Sequence, residues 1–294
     1  MKKPNHRLIY VFYILDDTNN LEDNPVYDLH FKCLEYYSYV FDEAIFIITA
    51  NDLDNKLIWD VQYRISNIFS PFCKLKFIIE KNNKEYREGI HFYNYVLKRL
   101  DEYDGLTMFG HTKGLTHNYN DEIKYRILSL YCFNIPINDS LSFTYFCDQL
   151  LGDDQQYYLY GFPYVYIAHP DINNWHFSGS FYWMNCKKIA KYIKDNNIDI
   201  DSILNSNFVN TAIGNITGCA EWFFPSIFEK NQIAYYNMDM IKNDYNTFII
   251  YDLTGICLFG DILNEYIKTI LRYNDYNYFK WFYKKITNES LEDD

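Results

Sequence analysis

Four short apolar runs in the first part of the chain are separated by stretches with a helical pattern. The runs are rich in Ile, Val, Phe and Tyr and cover residues 8–15, 44–49, 75–79 and 105–110. Apolar runs of this length, without polar alternation, are typical of strands that are buried on both faces. The pattern therefore predicts four buried strands.

The three stretches between these runs place apolar residues three and four positions apart, which is the spacing of an amphipathic helix. Strands that alternate with helices predict right-handed crossovers and a parallel sheet with helices on both faces. The helical positions are Leu29, Cys33, Tyr37 and Val40; Leu57, Val61, Ile65 and Ile68; and Ile90, Tyr93, Leu97 and Leu100.

The second half of the chain is less regular. The fold class that follows is α/β, with a mostly parallel, Rossmann-like sheet, helices on both faces and a C-terminal helical segment. We expect a disordered tail over 288–294. Further helices are predicted at 121–134, 140–151, 187–195 and 261–285, and further apolar segments at 157–168, 177–184 and 247–251.

The composition excludes some classes of partner. A net charge of -12 argues against nonspecific binding of nucleic acid, which depends on Lys and Arg side chains that neutralise phosphates. A local group of cations and backbone N–H groups can still bind an anionic ligand. Aromatic residues make up 20% of the chain and come with abundant Asn, Ile and Lys, which indicates A+T-rich coding before it indicates a binding surface.

The cysteines and the N-terminus favour the cytoplasm. Seven cysteines are scattered without a CxxC pair, which is typical of reduced, buried thiols in a reducing compartment. The first apolar run is only eight residues long and ends at Asp16 and Asp17, so we expect no cleavable signal. The uncharged run 157–169 contains Gly161 and Pro163 and is shorter than a membrane span, so we expect no anchor.

Two polar clusters follow predicted strands. The first strand ends at Asp16 and Asp17, and the fourth ends at His111, Thr112, Lys113 and Gly114. Parallel sheets bind ligands at the carboxyl ends of their strands, so both clusters are expected to face one crevice. An imidazole, a hydroxyl, an ammonium group and a glycine suit a diphosphate. The alternative is an ordinary surface turn.

The segment Arg87-Glu88-Gly89 follows the third strand and opens the next helix. A helix N-terminus can hold an anion, and Arg87 could clamp a phosphate or a ribose. The alternative is a helix start with no ligand.

An aromatic segment, Trp175–Trp183, places five aromatic residues and His176 around a Ser-Gly-Ser turn. Aromatic rings stack on the apolar faces of sugars, while Ser178 and the backbone near Gly179 could bind sugar hydroxyls. The alternative is a core strand preceded by a turn.

One acid, Glu221, lies in the apolar and aromatic run Gly218–Pro225. A carboxylate in such surroundings tends to have a raised pKa, which suits a general base. The alternative is a solvent-facing Glu on the edge of a helix.

Two D-x-D patterns, Asp52/Asp54 and Asp199/Asp201, could chelate Mg²⁺ or Mn²⁺. Neither pattern lies at the end of the fourth strand, where the metal-binding acids of a nucleotide-sugar enzyme would be expected. We therefore interpret both as surface loops or caps and assign no metal ligands.

In this order and spacing, the motifs REG, YDxLxxFGHTKG, HFSGSFYW and AEW resemble a family of bacterial and viral glycosyltransferases of polysaccharide clusters. Those proteins are GT-A-like, with an HTK element, an SGNFWW-like segment and a later AE-W. The resemblance spans roughly residues 8–228. It departs at Ser180 and Tyr182, where Asn and Trp are usual.

The resemblance implies a single glycosyltransferase domain over 1–287, with donor binding in about 1–118, and acceptor binding and catalysis in about 119–287. The implied activity moves a hexosyl or deoxyhexosyl group from a nucleotide-sugar to a glycan hydroxyl. Glu221 as a general base would make this transfer inverting, and a retaining transfer stays open. The sequence also leaves open whether a Mg²⁺ or Mn²⁺ ion accompanies the donor. The resemblance places Arg87, His111 and Lys113 near the nucleotide-sugar, Ser178 and Gly179 at the floor of the sugar site, and Glu221 at the reacting centre. The chemistry of the residues adds Asp16, Asp17 and Gly114 to the predicted donor site, and His176, Trp183 and Trp222 to the predicted sugar and acceptor site.

Two other functions remain open from the sequence. A catalytically inactive sugar-binding module would keep the aromatic site without transfer. Another nucleotide-dependent α/β enzyme, such as a methyltransferase or a dehydrogenase, is disfavoured because no GxGxxG follows the first strand.

Overall fold

Four parallel strands form one half of the central sheet in the computed structural model. They are β1 (His6–Tyr13), β2 (Glu43–Ala50), β3 (Lys74–Lys81) and β4 (Leu106–His111). β1 pairs with β2 on one side and with β4 on the other, and β3 pairs with β2. The predicted parallel arrangement of these strands is confirmed. The structure describes residues 5–16, 18–23, 25–69, 71–82, 87–112, 147–152, 157–161, 164–166, 175–177, 180–204 and 219–235.

Three short strands complete this sheet within the described residues. β8 (Tyr182–Met184) runs antiparallel to β4 and to β5 (Leu159–Gly161), and β9 (Ile233–Tyr235) is parallel to β5. The strand order is β3-β2-β1-β4-β8-β5-β9, and β8 alone runs against the others. A separate antiparallel pair joins β6 (Tyr164–Tyr166) to β7 (Trp175–Phe177).

Helices cover both faces of the sheet, as predicted. The helices α1 (Pro25–Tyr37) and α2 (Leu57–Ile68) lie on one face, together with the helical residues 147–151. The opposite face packs against α3 (Arg87–Tyr95), α4 (Cys186–Asp195), α5 (Ile200–Leu204) and α6 (Cys219–Trp222).

The side chains of β1 explain why its sequence is continuously apolar. Leu8, Tyr10 and Phe12 belong to the core on the α1 side, whereas Ile9 and Val11 belong to the core on the α3 side. All five are fully buried because successive residues of a strand point to opposite faces.

The prediction that the third strand is buried is wrong. β3 is a terminal strand in the order of the described sheet, and Lys74, Lys76, Ile79 and Lys81 on it are exposed. Lysine side chains on an edge strand discourage pairing with another chain.

The third predicted helix is shorter than its apolar spacing indicated. α3 ends at Tyr95, and a 3-10 segment, Leu97–Glu102, follows with a non-helical backbone at Arg99. The break changes the buried face, so that Phe92 and Val96 enter the core while Ile90 and Tyr93 are only partly buried.

The burial expected for the cysteines is confirmed at Cys33, Cys73, Cys147 and Cys186. Within the described ranges, no helix combines the length and apolar character needed to cross a membrane. The predicted elements at 121–134, 247–251 and 261–285, and the tail 288–294, lie outside the described residues.

Candidate functional site

The order of the strands changes direction beside β1. From β1 the chain moves to β2 and β3 on one side, and β4 then returns to the other side of β1. Ligands of open α/β sheets bind in the crevice outside the carboxyl ends of the strands at such a switch point. Asp16, which follows β1, and His111, which ends β4, both lie at this edge, as expected.

Thr112 joins the end of β4 to β1. Its backbone N–H donates to the carbonyl oxygen of Val11 at 2.9 Å. Its side-chain oxygen accepts from the backbone N–H of Tyr13 at 3.0 Å. The hydroxyl therefore fixes the backbone from which Lys113 and Gly114 continue, and both of these lie outside the described residues.

The exit of β1 is held by residues that sequence reasoning missed. The side-chain amide of Asn51 donates to the exposed carboxylate of Asp16. The backbone N–H of Leu15 donates to the hydroxyl of Tyr27 on α1 at 3.0 Å. These contacts place Asp16 at the crevice. Asp17 lies outside the described residues.

His111 is buried against the segment that precedes β8. Its ring stacks on Phe181, with ring centroids 5.6 Å apart and an interplanar angle of 29°. Gly110 makes this approach possible, because a Cβ atom there would lie 2.9 Å from Phe181 Cε1. The HTKG and FSGSFYW motifs, about seventy residues apart in sequence, thus meet at the carboxyl end of β4.

Ser180 makes an unusual backbone turn into β8. It is fully buried, and its φ angle of 58° is in the left-handed region. Residues other than glycine adopt this conformation infrequently. The turn leads directly into the stack of Phe181 on His111.

The short helix α6 carries Glu221 close to two other predicted parts of the site. α6 packs against α3, which begins at Arg87, and against β7, which includes His176. The Glu221 side chain is partly buried. Trp222 is buried, so the sugar or acceptor contact predicted for its ring needs the same correction as that of Trp183. The structure therefore brings together the elements that carry the REG, HFSGSFYW and AEW motifs. Ser178 and Gly179 lie outside the described residues.

The proposed sugar contact of Trp183 needs correction. Trp183 is fully buried on the α1 side of the sheet. Its ring stacks on Phe41 at 5.5 Å and packs edge-on against His6 at 5.7 Å. Since a buried ring offers no face to a sugar, Trp183 belongs to the core, and we remove it from the candidate site.

A second polar cluster lies under α3. Nδ1 of the buried His91 is 3.0 Å from Oε2 of Glu80 at the end of β3. The hydroxyl of Tyr95 donates to the same carboxylate. These hydrogen bonds, the one with His91 first, lower the pKa of Glu80 against the opposing effect of burial. His91 also packs edge-on against Tyr13, the last residue of β1. No sequence motif marks these residues.

Both D-x-D patterns lie in loops or at helix starts, as predicted. Asp52 and Asp54 are exposed, and the Asp52 carboxylate accepts from the backbone N–H of Asp54 at 3.0 Å. The Asp199 carboxylate accepts from the backbone N–H groups at the start of α5. Within the described ranges, no group of three or more His, Cys, Asp or Glu side chains could hold a metal ion.

No family model and no curated protein matches the chain. Among solved structures, the chain is similar to 4-diphosphocytidyl-2C-methyl-D-erythritol synthase from Anaerococcus prevotii DSM 20548. The sequences are 9% identical, and the match covers 87% of this chain and 98% of that chain with a TM-score of 0.35. At this TM-score the likeness carries no argument about the present chain.

Proposed function

We propose that the chain is a glycosyltransferase that moves a sugar from a nucleotide-sugar to an acceptor hydroxyl at the crevice between β1 and β4. The observation that carries the proposal is the position of Asp16, His111 and Thr112 at the topological switch point, where α/β sheets bind nucleotides. The proposed acceptor is a glycan.

The donor diphosphate would bind beside the end of β4. Thr112 is fixed to β1 by two hydrogen bonds, so the next residue in sequence, Lys113, continues from a rigid backbone. An ammonium group there neutralises charge that grows on the nucleoside diphosphate as it leaves. Arg87, at the start of α3, supplies a second cation from the neighbouring helix.

Glu221 is the proposed general base. Its carboxylate takes the proton from the acceptor hydroxyl, and the acceptor oxygen forms a bond to the anomeric carbon. The bond from that carbon to the diphosphate oxygen breaks on the opposite face, and the nucleoside diphosphate leaves with the electron pair. The anomeric configuration is thereby inverted.

We propose that a Mg²⁺ or Mn²⁺ ion, where one accompanies the donor, is held mainly by the donor diphosphate. We also propose a cytoplasmic location, in a bacterium or a virus-infected cell, because buried cysteines scattered without a CxxC pair suit a reducing compartment.

Calorimetry of the full chain with UDP, GDP, dTDP and their sugar conjugates tests the proposal. Saturable binding of one nucleotide series, with lower affinity in the Lys113→Ala variant, would support the glycosyltransferase proposal. Binding of glycans without any nucleotide would favour an inactive sugar-binding module instead.

A further inference from the structure

We propose that a buried relay from His30 through Tyr10 positions the carboxyl end of β4, so that both residues act as positioning residues for the crevice. The inference rests on the proposed function only where it concerns nucleotide affinity. The predicted effect on the backbone at His111 and Thr112 does not depend on the proposed function.

The relay consists of two buried hydrogen bonds. The Tyr10 hydroxyl oxygen lies 2.6 Å from Nδ1 of His30 on α1. The same hydroxyl donates to the carbonyl oxygen of His111 at 3.0 Å. Tyr10 is fully buried, and His30 and His111 are almost fully buried. The bonds therefore connect α1 to the last residue of β4 through the core.

The chemistry of the three groups fixes the direction of both bonds. A carbonyl oxygen only accepts, so the single proton of the Tyr10 hydroxyl points to His111. Nδ1 of His30 must then carry a hydrogen and donate to the Tyr10 oxygen. Burial, and to a smaller extent the nearby Cys33, raises the pKa of Tyr10 well above its ordinary value, so the hydroxyl keeps its proton.

A second bond from α1 holds the other side of the crevice. The Tyr27 hydroxyl accepts from the backbone N–H of Leu15, next to Asp16, at 3.0 Å. The Tyr27 ring stacks on Phe12 of β1 at 5.6 Å. α1 thus ties down the exits of both strands that flank the switch point.

Packing alone does not account for the Tyr10 hydroxyl. The Tyr10 ring contacts Phe46 at 5.9 Å and Phe181 at 6.5 Å, an apolar environment in which phenylalanine would also pack. A buried hydroxyl costs free energy unless it is hydrogen-bonded. Here the bond to the His111 carbonyl oxygen restrains the peptide between His111 and Thr112, and the bond to His30 anchors the hydroxyl to α1.

Tyr10→Phe and a matched control test the relay. Tyr103 is also buried, and its hydroxyl donates to a backbone carbonyl, that of Tyr95, at 2.7 Å. Tyr103 precedes β4 at the amino end, opposite the crevice. Both substitutions remove a hydroxyl-to-carbonyl bond and should lower the unfolding midpoint. Only Tyr10→Phe should accelerate amide hydrogen exchange at Thr112, and it should weaken binding of the nucleotide series that the natural chain binds by about fivefold.

Equal exchange at Thr112 in the two variants would overturn the inference. Faster exchange at Thr112 in Tyr10→Phe alone, with no nucleotide bound by the natural chain, would support the relay and contradict the proposed function. If Tyr10→Phe does not fold, His30→Asn and His30→Leu replace it. Asn keeps an N–H donor and should preserve the protection of Thr112, whereas Leu should lose it. Equal protection in both would contradict the relay.

Discussion

The hydroxyl of Tyr182 donates a hydrogen bond of 2.7 Å to the carbonyl oxygen of Ala220, the residue before Glu221. The Tyr182 ring is buried between β4 and α3, edge-on to Phe92 at 6.0 Å and tilted against Phe109 at 6.3 Å. The bond therefore joins β8 to α6 through the core.

Tyr182→Phe should lower turnover while leaving nucleotide affinity unchanged. The substitution keeps the ring but removes the bond that holds α6, at a cost to stability of about 1 kcal/mol. Calorimetry and a nucleotide-release assay would measure both quantities, with Tyr103→Phe as the control. Equal turnover in the two variants would show that α6 does not need this bond.

Lys113→Ala should weaken the binding of a nucleoside diphosphate by about 1.5–3 kcal/mol, the usual contribution of a hydrogen bond to a charged group. Lys187 offers a matched control, because it is an exposed lysine that pairs with Asp104 before β4, away from the crevice. Lys187→Ala should bind as the natural chain does in the same titration. Unchanged affinity in a folded Lys113→Ala variant would exclude the HTKG segment as the donor site.

Arg7→Met should destabilise the fold without changing nucleotide affinity. The Arg7 side chain is 7% exposed, lies 2.8 Å from the Glu43 carboxylate, and packs 4.4 Å from the ring centre of Tyr103. The Glu43 side chain is 28% exposed, so the pair is only partly buried and loss of the charged hydrogen bond should cost about 1.5–3 kcal/mol. Urea unfolding measures the loss. Arg99→Ala, which removes an exposed pair with Glu102, is the control and should change stability by less than about 1 kcal/mol.

Glu80→Gln should be less stable than the natural chain at neutral pH, and the difference should disappear in acid. The pKa of Glu80 is lower in the folded chain than in the unfolded chain, so its carboxylate stabilises the fold above the unfolded pKa. That contribution is lost as the pH falls through the lowered pKa. Urea unfolding from about pH 7 to about pH 3 spans this range. A stability difference that is constant with pH would contradict the role of the carboxylate.

Glu221→Gln should keep donor affinity and lower turnover about 100-fold or more, because an amide cannot accept the proton of the acceptor hydroxyl. Calorimetry and initial rates measure the two effects separately. Near-normal turnover would exclude Glu221 as the base while leaving the glycosyltransferase proposal intact.

The periodicity of the sequence predicted β1, β2 and β4, because strands buried on both faces are continuously apolar. It could not show that β3 is at an edge, since its apolar residues alternate with lysines only in part. The sequence also does not show which side of the sheet each residue of β8 faces. Tyr182 points to the α3 side and Trp183 to the α1 side, and a run of aromatic residues gives no sign of this alternation.

The sequence predicts the motifs of the proposed site, but it does not predict the residues that support them. Tyr10 and His30 lie 20 residues apart in a strand and a helix, and Tyr10 lies 101 residues from His111. Such contacts depend on the packing of α1 against the sheet, which no local spacing encodes. The prediction for Trp183 is wrong because residue type alone does not distinguish an aromatic ring in the core from one that stacks on a sugar.

The most direct test of the account follows the reaction of the natural chain by NMR. The nucleotide-sugar that binds in calorimetry would be incubated with the chain and a glycan acceptor. The account predicts release of the nucleoside diphosphate together with a new glycoside of inverted anomeric configuration. A retained configuration would contradict the inverting mechanism. A chain that binds no nucleotide-sugar and releases no nucleoside diphosphate would contradict the central claim.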